Sequence, residues 1–279
     1  RKTVVRLVNG YKMQLSFEEP GISKGLLLFR TREKAELGVV KKILKPGMRF
    51  LDIGANIGFY TILAAKIVGK NGKVFAYEPY PASYKVLIEN IKLTGISDIV
   101  DAHNMAVADE SIIKKLYLGK GSNVHSFSDH AGANQYVEVP TIDINKLLVN
   151  IGAPVHLMRM DLEGYERQLF LRLDKTLANY LPKRIFFEIH PIGDIDPDPS
   201  FERPIQNMLE LGYYPEIVIS SANVIARERF EKLNYHPNST EKSGLATHYF
   251  YKNIKSDDLL KVAATRPRIT RSILLNREN

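Results

Sequence analysis

Residues 50–61 read Phe-Leu-Asp-Ile-Gly-Ala-Asn-Ile-Gly-Phe-Tyr-Thr. An apolar run ends in Asp52, turns through Gly54, Ala55, Asn56, Ile57 and Gly58, and enters a segment in which Phe59, Ile62, Leu63 and Ile67 recur at helical spacing. Strand, glycine-rich turn and helix are the opening unit of a doubly wound α/β sheet, where a ligand meets backbone N–H groups at a helix N-terminus. A second apolar run over 73–77 ends in Glu78, twenty residues past Gly58. A carboxylate at that distance can accept hydrogen bonds from both hydroxyls of a ribose.

Which nucleotide the turn suits follows from two residues. A dinucleotide site asks for a second glycine where this chain has Asn56, because a pyrophosphate must lie against bare backbone. The turn also follows Asp52, an anion that repels pyrophosphate and attracts an amino group. S-adenosylmethionine (SAM) carries no phosphate, and it has an α-ammonium, a sulfonium charge and one ribose. SAM is therefore the expected cofactor, and a nicotinamide oxidoreductase is disfavoured.

Outward from this unit, strand and helix patterns alternate from Met48 to His190, as in a parallel sheet with helices on both faces. Strands are expected near 99–104, 156–161, 184–190, 214–220 and 246–251, and helices over 82–94 and 203–211. Two short strands, 3–8 and 11–16, and a helix over 32–44 precede the unit, closed by Lys45-Pro46-Gly47. The alternation breaks between Asp109 and Val155, where strands over 112–118 and 136–139 flank a Gly- and Ser-rich loop over 119–133 with His125 and His130. Loops of that length are often functional, which makes this one a candidate lid. An acidic, Pro-rich loop fills 191–199. Ser256 caps a last short helix, and residues beyond Arg266 are expected to fray or to bind a partner. The expected organisation is a cap segment (1–46), a catalytic domain (47–252, with an insertion over 109–155) and a basic tail (253–279).

The 279 residues, 44% hydrophobic, are enough for one large α/β domain with insertions. The absence of cysteine excludes disulfides, zinc–thiolate centres and a cysteine nucleophile. No apolar run reaches the roughly 18 residues of a membrane span. The chain begins at Arg1, which leaves room for a leader or short anchor ahead of it, and use of SAM points to the cytoplasm. The net charge of +8 sits at the ends: eleven Lys or Arg against four Glu over 1–46, and six against three over 255–279. Basic ends could recruit an anionic acceptor such as nucleic acid, an anionic glycan or a phospholipid-linked intermediate. They lack the interleaved aromatics of an RNA-binding surface.

At Asp161-Leu-Glu-Gly-Tyr-Glu166 the motifs become recognisable together. The chain resembles the FkbM family of SAM-dependent methyltransferases in 47–61, in Gly72-Lys-Val-Phe-Ala-Tyr-Glu-Pro79 with Asn90, in Asn104-Met-Ala-Val107, in Met160-Asp-Leu-Glu-Gly-Tyr-Glu166 and in a closing His248-Tyr-Phe-Tyr251. The resemblance covers roughly 46–252. It implies a Rossmann-like class I methyltransferase sheet of seven mostly parallel strands with an antiparallel last strand, and methyl transfer most often to a hydroxyl oxygen. Carried over, Asp52, Gly54, Ala55, Asn56 and Gly58, with Phe59 and Thr61, would hold the methionine end of SAM. Glu78 and Pro79 would hold the ribose, and Asn104 and Ala106 would line the adenine side. Asp161 and Glu163 would face the methyl group. Arg159 departs from the lysine the family commonly carries there.

Methyl transfer from a sulfonium is an in-line displacement, and a hydroxyl acceptor must also lose a proton. Asp161, Glu188 and His190 fall at strand ends, with Glu163 close behind. His190 has an ordinary pKa suited to a base near neutrality. Asp161 is the first candidate for the catalytic residue, with Glu163 and His190 assisting. Glu188 could instead pair with a buried arginine. Asp161, Glu188 and His190 could together ligate Mg²⁺ or a transition ion, but no compact ligand motif supports it and no metal is expected. The leading reading is O-methylation of a hydroxyl on a small molecule, glycan or lipid-linked sugar. The alternatives are an RNA ribose 2′-O-methyltransferase gripping phosphates with its basic ends, and a SAM-fold binding module without turnover. Asp161-Leu-Glu-Gly, in place of an Asn- or Asp-Pro-Pro-aromatic run, counts against base N-methylation. The acceptor's identity and the oligomeric state are not encoded in any motif here.

Overall fold

A computed structural model describes residues 3–17, 20–119, 125–127, 135–190, 201–243, 246–263 and 269–278. His130, the 191–199 loop and Arg266 lie outside the described residues. In chain order the elements are β1 (Thr3–Val8), β2 (Tyr11–Ser16), α1 (Pro20–Phe29), α2 (Lys34–Ile43), β3 (Arg49–Ile53), α3 (Phe59–Val68), β4 (Lys73–Tyr77), α4 (Pro81–Thr94), β5 (Val100–His103), β6 (Ala106–Ala108), β7 (Ile113–Tyr117), β8 (Tyr136–Asp143), α5 (Ile144–Ile151), β9 (Leu157–Met160), α6 (Glu166–Arg172), β10 (Arg184–Glu188), α7 (Glu202–Glu210), β11 (Tyr213–Ser221), α8 (Val224–Glu231), β12 (Ser239–Ser243), β13 (Ala246–Tyr251), α9 (Ser256–Ala263) and β14 (Thr270–Arg277).

Among the described residues the main sheet has nine strands in the order β12-β13-β11-β14-β10-β9-β3-β4-β5. β5, β4, β3, β9 and β10 run parallel, each to its neighbour. β14 is antiparallel to both β10 and β11, so β11 again points with the parallel block. Two points depart from the seven-stranded expectation. β13, the 246–251 segment assigned above as the last strand of the fold, lies outside β11, and β12 extends that edge further. The antiparallel strand inside the sheet is β14, in residues expected to fray. The physical reason is burial: Ile273, Leu274 and Leu275 are wholly inaccessible between β10 and β11.

Strand periodicity distributes the core over both faces. On β3, Leu51 and Ile53 join one apolar cluster and Phe50 the other; Met158 and Met160 on β9 and Ile185 and Phe187 on β10 likewise side with the first, against Leu157 and Phe186. Asp52 and Arg159 are cross-strand neighbours. The first cluster is closed by α5, α6, α7 and α9, the second by α2, α3, α4 and the β1–β2 hairpin. Packed between α2, α4 and the sheet, α3 is more deeply buried than its periodicity alone implies. Phe59, Tyr60, Thr61, Ile62, Leu63, Ala64 and Ala65 are all buried. The hairpin is also pinned to α4, where Gln14 N–H donates to Asn90 Oδ1 (2.6 Å) and Asn90 Nδ2 donates back to Gln14 O (3.1 Å). Residues 106–143 carry a separate three-stranded sheet, β6-β8-β7, beside the carboxyl ends of the main strands. No helix among the described residues is long and apolar enough to cross a membrane.

Candidate active site

The turn after β3 can be tight only because Gly54 has no side chain. Its φ is +81°, and a Cβ there would stand 2.5 Å from the carbonyl oxygen of Asp161. Gly54 and Ala55 N–H groups donate to Tyr77 O (3.0 Å each), which ties the turn to the end of β4. Asn56 also takes a positive φ, 50°, and its N–H donates to Glu78 Oε2 (2.7 Å). Glu78 Oε1 accepts from Tyr80 N–H (2.9 Å). Two backbone donors thus fix the Glu78 carboxyl at the cavity wall. Burial raises its pKa to about 7, against the lowering effect of those hydrogen bonds.

One cavity gathers Gly54, Ala55, Asn56, Phe59, Glu78, Pro79, Ala106, Asp161 and Glu163 on its wall. Asp52, Gly58, Thr61 and Asn104, also expected at the cofactor, are not among the residues that line this cavity. Asp52 is fully buried, its Oδ2 accepting from Thr61 Oγ1 (2.7 Å) and its Oδ1 lying 3.5 Å from Arg159 Nη1. A Cβ on Gly58 would meet Leu87 Cδ1 at 2.8 Å, so this glycine serves helix packing. Asn104 Nδ2 donates to the carbonyls of Glu78 and Pro79 (2.9 and 3.0 Å), bracing the segment that carries the carboxylate.

Arg159 organises the acids beneath the site. Its Nη2 donates to Asp161 Oδ2 at 2.9 Å and lies 4.0 Å from Glu33 Oε2, while its guanidinium covers the Tyr60 ring at 4.0 Å. Tyr60 OH donates to Glu33 Oε2 (2.8 Å). A fork that meets several carboxylates and a ring face explains why an arginine works here where a lysine would supply one point charge. Burial opposes ionisation of Asp161, but Arg159 and His190 outweigh it, and its carboxyl is held below the usual range.

His190, at the end of β10, joins Asp161 and Glu163 as the motifs imply. Its Nε2 lies 3.8 Å from Asp161 Oδ1 and 3.6 Å from Glu163 Oε2, and its Nδ1 lies 3.3 Å from Glu166 Oε1. Burial depresses the imidazole's pKa, yet Glu166, Asp161 and Glu163 raise it to about 9. The imidazole is therefore charged at neutral pH, which corrects the expectation of a near-neutral base. Burial pushes Glu163 the other way, to about 7, with His190 opposing. Glu188 is not brought into this group; it pairs with Arg271 (3.5 Å).

Several wall residues carried no sequence signal: Ile22, Arg32 and Glu33 from the N-terminal segment, and Leu116 from the 109–155 insertion. Tyr165 and Glu166 lie inside the Asp-Leu-Glu-Gly motif, whose spacing placed them nearby without a role. Tyr165 OH donates to Asp109 Oδ1 (2.6 Å) and accepts from Lys114 Nζ (2.9 Å). Of the candidate lid, residues 125–127 are described, and they line the cavity.

The ionisable lining residues are Glu33, Glu78, Asp161 and Glu163 against Arg32 and Arg159, a net anionic wall. That charge suits a cationic cofactor. The Methyltransferase FkbM domain model matches residues 52–215. The chain thus belongs to the FkbM family of SAM-dependent methyltransferases. Among curated relatives, the tRNA(Phe) (4-demethylwyosine(37)-C(7)) aminocarboxypropyltransferase of Pyrococcus horikoshii is 30% identical over 126 residues, 44% of this chain and 42% of the relative. Protein-L-isoaspartate O-methyltransferase 1 of Arabidopsis thaliana is 34% identical over 71 residues, 25% of this chain and 31% of the relative. The chain spans less than half the length of these relatives. Among solved structures, M. jannaschii TYW2 in complex with AdoMet aligns with all of this chain and 88% of its own, at 14% identity and a TM-score of 0.48.

Proposed function

We propose that this protein transfers the methyl group of SAM to a hydroxyl oxygen of a small molecule, glycan or lipid-linked sugar. The observation that carries the reading is the joint placement of the Glu78 carboxyl, the Gly54 turn, Asp161 and Glu163 on one cavity wall, with His190 beside the last two. Bound SAM supplies an electrophilic methyl on a cationic sulfur. Glu78 accepts from the ribose hydroxyls with the lone pairs left by its two backbone donors. The Gly54–Asn56 backbone lies against the methionine end, and Ala106 with Leu116 and Phe127 covers the adenine side. Asp161, fixed by Arg159, positions the acceptor hydroxyl, and the neighbouring Glu163 carboxylate receives its proton while the charged His190 imidazole holds the two carboxylates in place.

Three relatives whose names specify tRNA, including a tRNA (guanine(37)-N(1))-methyltransferase of Mus musculus 31% identical over 97 residues, keep an RNA acceptor as the second reading. Two of the six C-terminal basic residues are committed within the fold, which weighs against it. Arg271 is engaged with Glu36 and Glu188, and Arg277 donates to the carbonyls of Leu211 and Ala178. The test is calorimetric titration of the purified chain with SAM and with NAD⁺, beside Glu78→Gln, followed by labelled-methyl assays on hydroxylated acceptors and on tRNA. SAM binding alone, weakened about tenfold in the variant, is expected, a loss of about 1.4 kcal/mol. NAD⁺ binding, or label entering tRNA alone, would replace the reading.

A further inference from the structure

We propose that Asp161, Glu166 and His190 form a divalent-cation site of the Mg²⁺/Mn²⁺ class at the mouth of the cavity. The inference rests on the methyl-transfer reading for its purpose but not for its geometry, and it reverses the expectation of no metal drawn from the sequence. That expectation considered Glu188, which pairs with Arg271; Glu166, the first residue of α6, takes its place.

The three residues arrive from different elements. Asp161 follows β9 and His190 follows β10, adjacent parallel strands, while Glu166 opens α6. One ligand atom from each lies within 4.8 Å of the other two. His190 Nε2 stands 3.8 Å from Asp161 Oδ1 and 3.6 Å from Glu163 Oε2. These separations are beyond hydrogen-bond length, so neither carboxylate closes on the imidazole directly. On the other edge of the ring Nδ1 lies 3.3 Å from Glu166 Oε1, so an ion joining the three residues takes one of the two ring nitrogens after it has lost its proton.

Glu166 supplies an independent observation. Its side chain is wholly inaccessible, yet only one oxygen is satisfied: Oε1 accepts from Leu162 N–H (2.7 Å) and faces His190 Nδ1. Oε2 is buried with no hydrogen-bond partner among the described residues. A buried carboxyl oxygen left unpaired is costly, and such atoms in native proteins ask for an ion or another partner. The donor set of two carboxylates and one imidazole, in a chain without cysteine, favours hard or borderline ions over soft ones. Glu163 stands at the rim, close enough to join by a side-chain rotation.

An ion here would hold the acceptor's hydroxyl oxygen beside the methyl donor and lower its pKa. In the transfer the O–H proton passes to the Glu163 carboxylate and the oxygen's electron pair forms the new C–O bond. The S–C bonding pair returns to sulfur, leaving the neutral thioether.

The test uses the full chain treated with EDTA, without SAM or acceptor. Mn²⁺ is titrated by calorimetry and by electron paramagnetic resonance, with Mg²⁺ as competitor. One Mn²⁺ per chain is expected, displaced by Mg²⁺ and weakened at least tenfold in both Asp161→Asn and His190→Gln. Because either variant could destabilise the chain, thermal midpoints are read in parallel. Mn²⁺ should raise that of the parent and leave that of folded His190→Gln unchanged. No Mn²⁺ binding by the folded parent, or binding equal in parent and variants, overturns the site. SAM titrated into the same stripped chain separates the two ideas. SAM bound without Mn²⁺ sinks the cation site alone, whereas Mn²⁺ bound without SAM keeps the site and sinks the methyl-transfer reading.

Discussion

Glu78 is the residue at which fold and ligand are most tightly linked. Its carboxyl is buried, held by two backbone N–H groups, and titrates near 7 instead of near 4.5. A folded-state pKa above the unfolded one means that the neutral form is preferred in the free protein. The stabilisation is complete below about pH 4.5 and is lost as pH rises through 7, a change of about 3 kcal/mol. Ribose hydroxyls bound to the carboxylate reverse that preference. SAM affinity should therefore fall below pH 7, by up to about tenfold per pH unit, as binding comes to require loss of the Glu78 proton. Calorimetry from pH 5.5 to 8.5 reads this directly. In Glu78→Gln affinity should be low and lose this slope; a slope of unchanged size would assign the effect to other groups. Glu78 was legible in the sequence because its distance from the turn is set by one strand–helix–strand unit. Glu33 and Arg32 were not, since their place on the wall depends on how a segment more than a hundred residues from Asp161 lies across α3.

At the scale of elements, local pattern identified the strands that carry ligands and misread the one that holds the sheet together. β3, β4, β9 and β10 each announce themselves by an apolar run that ends in a functional residue. β14 has an apolar run of only three residues, Ile273 to Leu275, among arginines and asparagine, and it lies far in sequence from both partners. Its insertion between β10 and β11 is decided by tertiary pairing, to which periodicity is blind. The distinction is measurable. Leu274, fully buried against Phe186 and Ile217 in register, should cost about 2–5 kcal/mol when changed to alanine, as in other cores. A residue in a frayed tail would change stability by less than about 0.5 kcal/mol. Urea unfolding of Leu274→Ala distinguishes them, and a loss under 0.5 kcal/mol would remove β14 from the sheet.

The whole molecule assembles its cavity from three separated stretches: the N-terminal segment through Ile22, Arg32 and Glu33, the strand ends, and the insertion through Leu116 and residues 125–127. The strand ends carry Glu78 and Asp161, and the other two stretches complete the walls around them. Phe127 is the clearest probe of that division of labour. It packs edge-on against Tyr165, with ring centroids 5.0 Å apart, and Lys114 lies 5.9 Å from its centre, so it links the insertion to the Asp161 motif. It is also half-buried and outside the two large apolar clusters, joining only the small one formed by Ala106, Leu116 and Val139. Phe127→Ala should accordingly leave the unfolding midpoint within about 0.5 kcal/mol of the parent's stability while weakening SAM by roughly tenfold, since a ring over the adenine side removes apolar area from water only when the cofactor is bound. Paired urea unfolding and SAM titration separate the two effects. A variant that loses stability but keeps its affinity would make the insertion a structural prop, and the adenine cover would then have to come from Ala106 and Val107 alone.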